Sequence, residues 1–524
     1  MRKHLSLLLL SLCALALHAQ KKKRHETLHL KQADELRSGK AYGTEGISLL
    51  IGNVQLQQEG YQITSDSAKL NQTQNRAHFY RGVHLNAGDT LHLFSDAMSY
   101  DGNMEFAVAT GRVRLVDKDV TLTTDTLYFD GEKNQAYYRA GGKVINRKNT
   151  LTSRWATYYT QEEKVVFRSD VHILSPHYIV DSEQLTYYRP DGVVFFQGPS
   201  ALFNPRDSTE IYTEKGFYNT RTGISQLTQK PLVHYRDQKL KGDSIFYDEQ
   251  EKFAVATGHV EIRAPREKTL VRGEYGAYFQ DEDSALIVQK PLAIKAFSKE
   301  GQAADSLYIH GDTLLIVRQK ASEHHVLKAF HHVKFFKSNL QGKCDSLEYD
   351  ESRGIVKMLS HPILWSGTNQ MTADTILLTI KPETKALDSL KMIQNAFVVS
   401  KADPRDPNDK AFNQIKGSHL YGKFIKNELR EVRISGNAES LYYADDDKKK
   451  NPHSGKPERI GINKMQCSSI LMKFKDRKLK SLSCLEQPDA VLYPEKDLPE
   501  EQRVLRGFSW QQQARPHSKG AIFR

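Results

Sequence analysis

The sequence predicts an all-β protein built from stacked repeats of about 30 residues. Three observations carry the prediction. Apolar and polar residues alternate at period two along most of the chain, as half-buried strands require. Two short phrases recur in order, Gly-x-Val-x-Leu (Gly111, Val113, Leu115) and Asp-Thr/Ser-Leu-Tyr (Asp125 to Tyr128). No segment sustains a helical period.

The chain opens with Arg2, Lys3 and His4 ahead of the apolar run Leu5 to Leu17, and His18-Ala19-Gln20 supplies a small residue for cleavage. Residues 1–19 therefore read as a secretory signal peptide, too short to span a bilayer comfortably; retention as an anchor is the alternative. Cys13 follows Leu12 where a lipoprotein signal would place a small residue. Behind the cleavage point, Lys21-Lys22-Lys23-Arg24 reads as an exposed N-terminus. The segment Lys31 to Ser38 suits either a short helix or an irregular strand.

The first phrase then appears at Gly52-Asn53-Val54, Gly82-Val83, Gly111-Arg112-Val113, Gly142-Lys143-Val144 and Gly258-His259-Val260, with a degenerate copy at Asp170-Val171. The second appears at Asp66, Asp96, Asp125, Asp243, Asp305, Asp345 and Asp374. One unit is too small to bury its own apolar face, so neighbours must stack. We divide the chain into repeats over 28–218, continuing repeats over 219–400, irregular repeats with charged loops over 401–493, and a weakly structured tail over 494–524. Asp403 to Lys410 and Asp445 to Pro457, rich in charge and Pro or Gly, read as surface loops.

Residues two apart on a strand share a face. Val54 and Leu56, Val83 and Leu85, Val113 and Leu115, Val144, Val171 and Ile173, Val260 and Ile262 thus form one apolar stripe. His84, Arg112, Arg114, Lys143 and Glu261 point the other way. The stripe is either the dry core of a closed sandwich or β-helix, or the lining of a slot for lipid tails.

A carboxylate in every unit cannot sit inside a dry wall, whereas at about 10 Å in water like charges repel by only about 0.4 kcal/mol. The Asp column is therefore expected on an exposed rim, engaged with nearby backbone. Calcium loops, G-x-S-x-G and P-loop patterns are missing from the sequence, and His324-His325 and His331-His332 lack ligands at matching spacing. The sequence calls for no enzyme chemistry, no cofactor and no metal. Cys344, Cys467 and Cys484 include no CxxC pair; Cys467 and Cys484 either bond, if their strands are neighbours, or stay as thiols. The net charge of +12 suits an anionic partner. Tyrosines beside basic residues (Tyr137-Tyr138-Arg139, Tyr187-Tyr188-Arg189) read as ordinary strand residues, not a nucleic-acid surface.

Leu28 to Asp34, Gly52-Asn53-Val54, Phe106 to Gly111, Leu127 to Gly131 and Phe195 to Pro199 resemble the OstA/LptA family, and more closely its long OstA-like periplasmic form from Bacteroidota-type bacteria. The resemblance covers about Leu28 to Tyr218 well and continues to about Val399. It implies an elongated, open β-jelly roll of two facing antiparallel sheets that holds the acyl chains of lipopolysaccharide, or lipid A, during transport to the outer membrane. It also implies a periplasmic location, with association to the inner or outer membrane as an option. Implied partners are other lipopolysaccharide-transport proteins, joined by strand addition at sheet edges, and further copies stacked head to tail. A secreted β-helix enzyme acting on polysaccharide would instead gather its carboxylates in one cleft, and an adhesive β-repeat protein would keep its core closed.

Overall fold

A strand that alternates apolar and polar residues must lay one face on something dry, and here each strand lays it on its own continuation. The computed structural model describes residues 28–523 apart from 40–45, 59–60, 88–90, 119, 147–148, 177, 236–237, 265–267, 298–304, 320–324, 382–385, 404–405, 407–408, 426–427, 451–456 and 476–477. Residues 1–19, expected as a signal peptide, and the Lys21 to Arg24 run lie outside the described residues. So do His324, half of Asp403 to Lys410 and part of Asp445 to Pro457.

The described chain is an antiparallel β-jelly roll that divides into two compact units, the first ending at Thr257 and the second running Gly258–Arg524. In the first unit the strands Ile47–Gln58, Tyr61–Asn71, Arg76–Ala87, Leu91–Asp101, Phe106–Asp117 and Val120–Asp130 follow one another as hairpins. Each is interrupted near its middle, where the register shifts, for example between Ile51 and Val54 and between Thr110 and Val113. Two residues oppose one at these β-bulges, and a bulge bends the strand. Every strand therefore turns a corner. Residues such as 54–58, 61–65 and 113–117 form one wall (wall A), and 47–51, 67–71 and 106–110 the other (wall B). Beyond Asp130 some strands split in two, such as Gly142–Asn146 and Asn149–Ser153 in wall A with Gln135–Tyr138 and Trp155–Tyr159 in wall B, whereas Lys164–Leu174 and Ile179–Tyr188 again run through both walls.

The bulge also answers where the Asp column goes. Both bulge residues take positive φ, at Gly111 (+75°) and Arg112 (+46°), at His331 (+59°) and His332 (+53°), and at Gln394 (+60°) and Asn395 (+53°). The acid of the neighbouring strand lies beside them. Asn53 Nδ2 donates to Asp34 at 2.9 Å, Arg112 holds Asp96 at 2.6 Å, His332 meets Asp312 at 2.8 Å, and Asn395 Nδ2 donates to Asp374 at 3.1 Å. The expected exposed position is correct, with a bulged corner in place of a turn. One copy is displaced: Asp305 pairs with Lys337 at a strand start, and Asp312 holds the corner position. His331 and His332 are corner residues for the same reason.

The other sequence expectations resolve as follows. Lys31 to Ser38 falls in two short strands, His29–Gln32 and Glu35–Ser38. Asp445 to Lys450, read as loop, continues the strand Glu428–Lys450, where Asp445 and Asp446 pair with Arg459 and Glu458. Arg459 makes this possible by reaching Asp445 at 3.4 Å and Glu495 at 3.7 Å. Cys467 and Cys484 form a disulfide, while Cys344 is a buried thiol whose pKa burial pushes up to about 12.

The tail beyond Pro494 has little regular structure beyond three short 3-10 turns, yet it is firmly held. Three buried glutamines grip it. Gln414 donates to the Arg503 carbonyl at 2.9 Å and accepts from Leu505 N–H at 2.8 Å. Gln370 does the same for the Ser509 carbonyl and Gln511 N–H, each at 2.7 Å, and Gln341 accepts from the Arg515 guanidinium at 2.6 Å. Leu498 and Leu505 pack with Phe397, Val399, Leu441, Tyr443 and Ile462 in a small core separate from the main core of that unit. The tail is thus a strap across the sheet.

Candidate lipid slot

The inner faces of the two walls of the first unit meet in one apolar core. On wall A the middle row runs partner to partner without a break: Leu56, Ile63, Leu85, Leu93, Leu115, Leu122, Val144, Leu151, Ile173, Val180, Leu202, Ile211 and Val233. The row nearer the corner carries Val54, Val83, Val113 and Val171, each opposite a Ser or Thr (Ser65, Ser95, Thr124, Ser182). Those hydroxyls donate to backbone carbonyls two residues on, Ser65 to Ser67 at 3.0 Å and Ser95 to Ala97 at 3.1 Å, so the corner remains dry. Wall B faces them with a row that mixes large and small residues, Ala68, Phe79, Met98, Ala109 and Leu127.

All eleven residues singled out from the sequence lie on inner faces. Val54, Leu56, Val83, Val113, Leu115, Val144 and Val171 are buried in the first unit, with Leu85 and Ile173 partly buried against the same core. In the second unit Val260 is buried and Ile262 packs at the edge of the core. His84 and Arg114 project from the outer face of wall A as expected. There the His84 ring stacks on Phe94 at 4.5 Å, Arg114 covers Phe94 from 4.5 Å, and His84 Nε2 lies 3.2 Å from His92 Nδ1. Burial, followed by the neighbouring His92, holds the His84 pKa below its usual value.

Two inner rows escaped the sequence reading, both at the free rims away from the corner. On wall B, every second strand brings an aromatic ring inward, Tyr100, Phe129, Tyr158, Tyr187, Tyr218 and Tyr247, with Ala107, Ala136 and Val165 among the small residues between. Burial raises the pKa of Tyr100, Tyr187, Tyr218 and Tyr247, so these phenols stay neutral. On wall A the rim row runs Tyr61, Ala87, Leu91, Asp117, Val120, Asn146 and Asn149, turning from apolar to polar along the chain. The available signal was parity: Asn146 follows Val144 by two and must share its inward face. At the corner end of the same strand, the Tyr138 ring lies so close to Gly142 that a Cβ there would come within 2.4 Å of it. The Tyr138 hydroxyl meets Ser153 Oγ at 2.7 Å, and burial pushes its pKa up to about 12.

An unbroken apolar trough, rimmed by neutral phenols and amides, can hold a flexible hydrocarbon and present hydrogen-bonding groups where that hydrocarbon ends. Among the described residues no group of three His, Cys, Asp or Glu could hold a metal ion, and no helix is long and apolar enough to cross a membrane.

Residues 25–183 match the family described as OstA-like protein. They form an OstA-like domain. The continuous middle row of wall A begins inside this OstA-like domain and runs past its end to Val233. Bulged corners recur well beyond it, at His331 and His332 and at Gln394 and Asn395. No curated protein matches the chain. Among solved structures the chain is similar to LptH of Pseudomonas aeruginosa, described as the LptA-homologous periplasmic component of the lipopolysaccharide transport device. That similarity has 15% identity and a TM-score of 0.22, over 30% of this chain and 95% of LptH.

Proposed function

We propose that this chain is a non-enzymatic periplasmic carrier or bridge for lipopolysaccharide, shielding its acyl chains between walls A and B on the way to the outer membrane. The observation that carries the reading is the middle row of wall A, apolar at every strand from Leu56 to Val233. The OstA-like match over residues 25–183 supports it. Each buried methylene contributes about 0.8 kcal/mol, so a twelve-carbon tail is held against water by roughly 10 kcal/mol. A row that repeats nearly the same contact at each strand keeps that energy level along the slot, which is what passage needs. The recurrent carboxylates sit one to a repeat at the corners, unlike the gathered pair a polysaccharide-acting enzyme requires. The edge strands His29–Gln32 and Glu35–Ser38 pair with Ile47–Gln58, and their other side suits strand addition by a transport partner or a second copy.

The test is mass spectrometry of lipid extracted from protein purified from its native envelope, beside Val113→Asp and Leu115→Asp variants. Lipopolysaccharide in the wild type and its loss from a folded variant is the expected result. A folded wild type that carries none and takes up none would return the rows to a purely structural core.

A further inference from the structure

Asn146 is 1% exposed, and among the described residues neither its amide nitrogen nor its amide oxygen has a hydrogen-bond partner. A buried polar group normally finds a partner, and leaving one unmade is costly. Asn146 also stands at a defined place. It is the inward residue next after Val144, about 7 Å further toward the rim of wall A. Val120 and Asn149 are its neighbours along the row, with Asp117 beyond Val120. Hydrocarbon that crosses the middle row at Val144 and runs along this strand toward the rim would therefore end, and its polar linkage begin, at Asn146.

We propose that Asn146 recognises the linkage of the bound amphiphile, and that the linkage it selects is a secondary amide, as in an N-acylated amino sugar. This rests on the slot reading above. A carboxamide presents an N–H donor and a carbonyl acceptor side by side. A secondary amide offers the matching carbonyl and N–H and satisfies both. An ester has no N–H and leaves the Asn146 oxygen unmet, and a phosphate or carboxylate answers only the nitrogen. A site that buries unmatched polar groups discriminates against the ligand lacking their partner.

The experiment uses the full chain and three probes that share one tail: N-palmitoyl-glucosamine, the matching O-palmitoyl glucose ester, and palmitate. Binding is followed by displacement of a fluorescent fatty acid. Wild type is expected to bind the amide at least about tenfold more tightly than the ester. Asn146→Leu should bind amide and ester equally, without losing palmitate. Asn146→Ala, which lacks both the amide N–H and the amide oxygen, provides a second variant if the leucine protein does not fold, and should likewise lose the preference. Equal binding of amide and ester by wild type, or a preference that survives both substitutions, would overturn the assignment and leave the slot standing. Failure of all three probes, palmitate included, would overturn the slot reading and this inference with it.

Discussion

The strap gives a prediction that can be worked from atoms. Gln414 is 3% exposed and joins the Arg503 carbonyl and Leu505 N–H through its single amide, at 2.9 and 2.8 Å. Replacing it with leucine preserves volume and removes both bonds. Two neutral hydrogen bonds contribute about 1 kcal/mol each, and stranding the N–H of buried Leu505 adds about 1 to 2 kcal/mol more. The strap should therefore open more easily by about 3 to 4 kcal/mol, equivalent to a roughly 160- to 900-fold rise in exchange at the Leu505 amide. Native-state hydrogen exchange on the full chain reads this directly. Gln370→Leu should act in the same way on the Gln511 amide, and neither change should alter Ile287, deep in the main core of the second unit. If Leu505 exchanges within about threefold of wild type in Gln414→Leu, the glutamine grip is not what holds the strap and the reasoning fails.

Other perturbations follow from the same geometry. Cys467→Ser releases a disulfide that closes 17 residues, and urea unfolding of the second unit should register a loss of about 3 kcal/mol. Gly111→Ala places a Cβ 2.8 Å from Asp96 Cβ at a φ of +75°, and should cost about 1 to 3 kcal/mol by thermal unfolding, whereas Arg112→Gly should cost far less. His84 has a depressed pKa in the folded state, so its contribution is intact above its ordinary value of 6.5 and is lost as pH falls through the folded value. Stability should decline from pH 7 toward 5, and His84→Gln should flatten that slope in denaturant titrations at stepped pH.

The parts legible in the sequence were those that depend on period and parity. Val113 and Leu115 lie inward because they are two apart, and the repeat fixes which strands meet. The corner was not legible, because His331-His332 and Gln394-Asn395 adopt left-handed backbone without glycine, and only the acid beside them marks the site. Nor was the strap. Gln341, Gln370 and Gln414 look like outward polar residues until a distant segment lies over them, and no local pattern announces a contact across 89 or 174 residues. Asn146 was readable by parity, but one polar residue at an inward position passes as noise without neighbours to show that it is buried.

The strap also bears on the order in which the chain becomes protein. Successive strands of the first unit join as hairpins, so its structure can grow from the amino end as residues arrive, with little entropy spent on closing long loops. The strap breaks that economy. Its residues are made after the strands they close over, so the sheet face around Phe397, Val399 and Leu441 stands bare until Leu498 and Leu505 have been added. Arrival of the strap is thereby written into the structure as the covering of one apolar face, and a chain cut short before Leu498 would display to chaperones and proteases the surface that the strap hides.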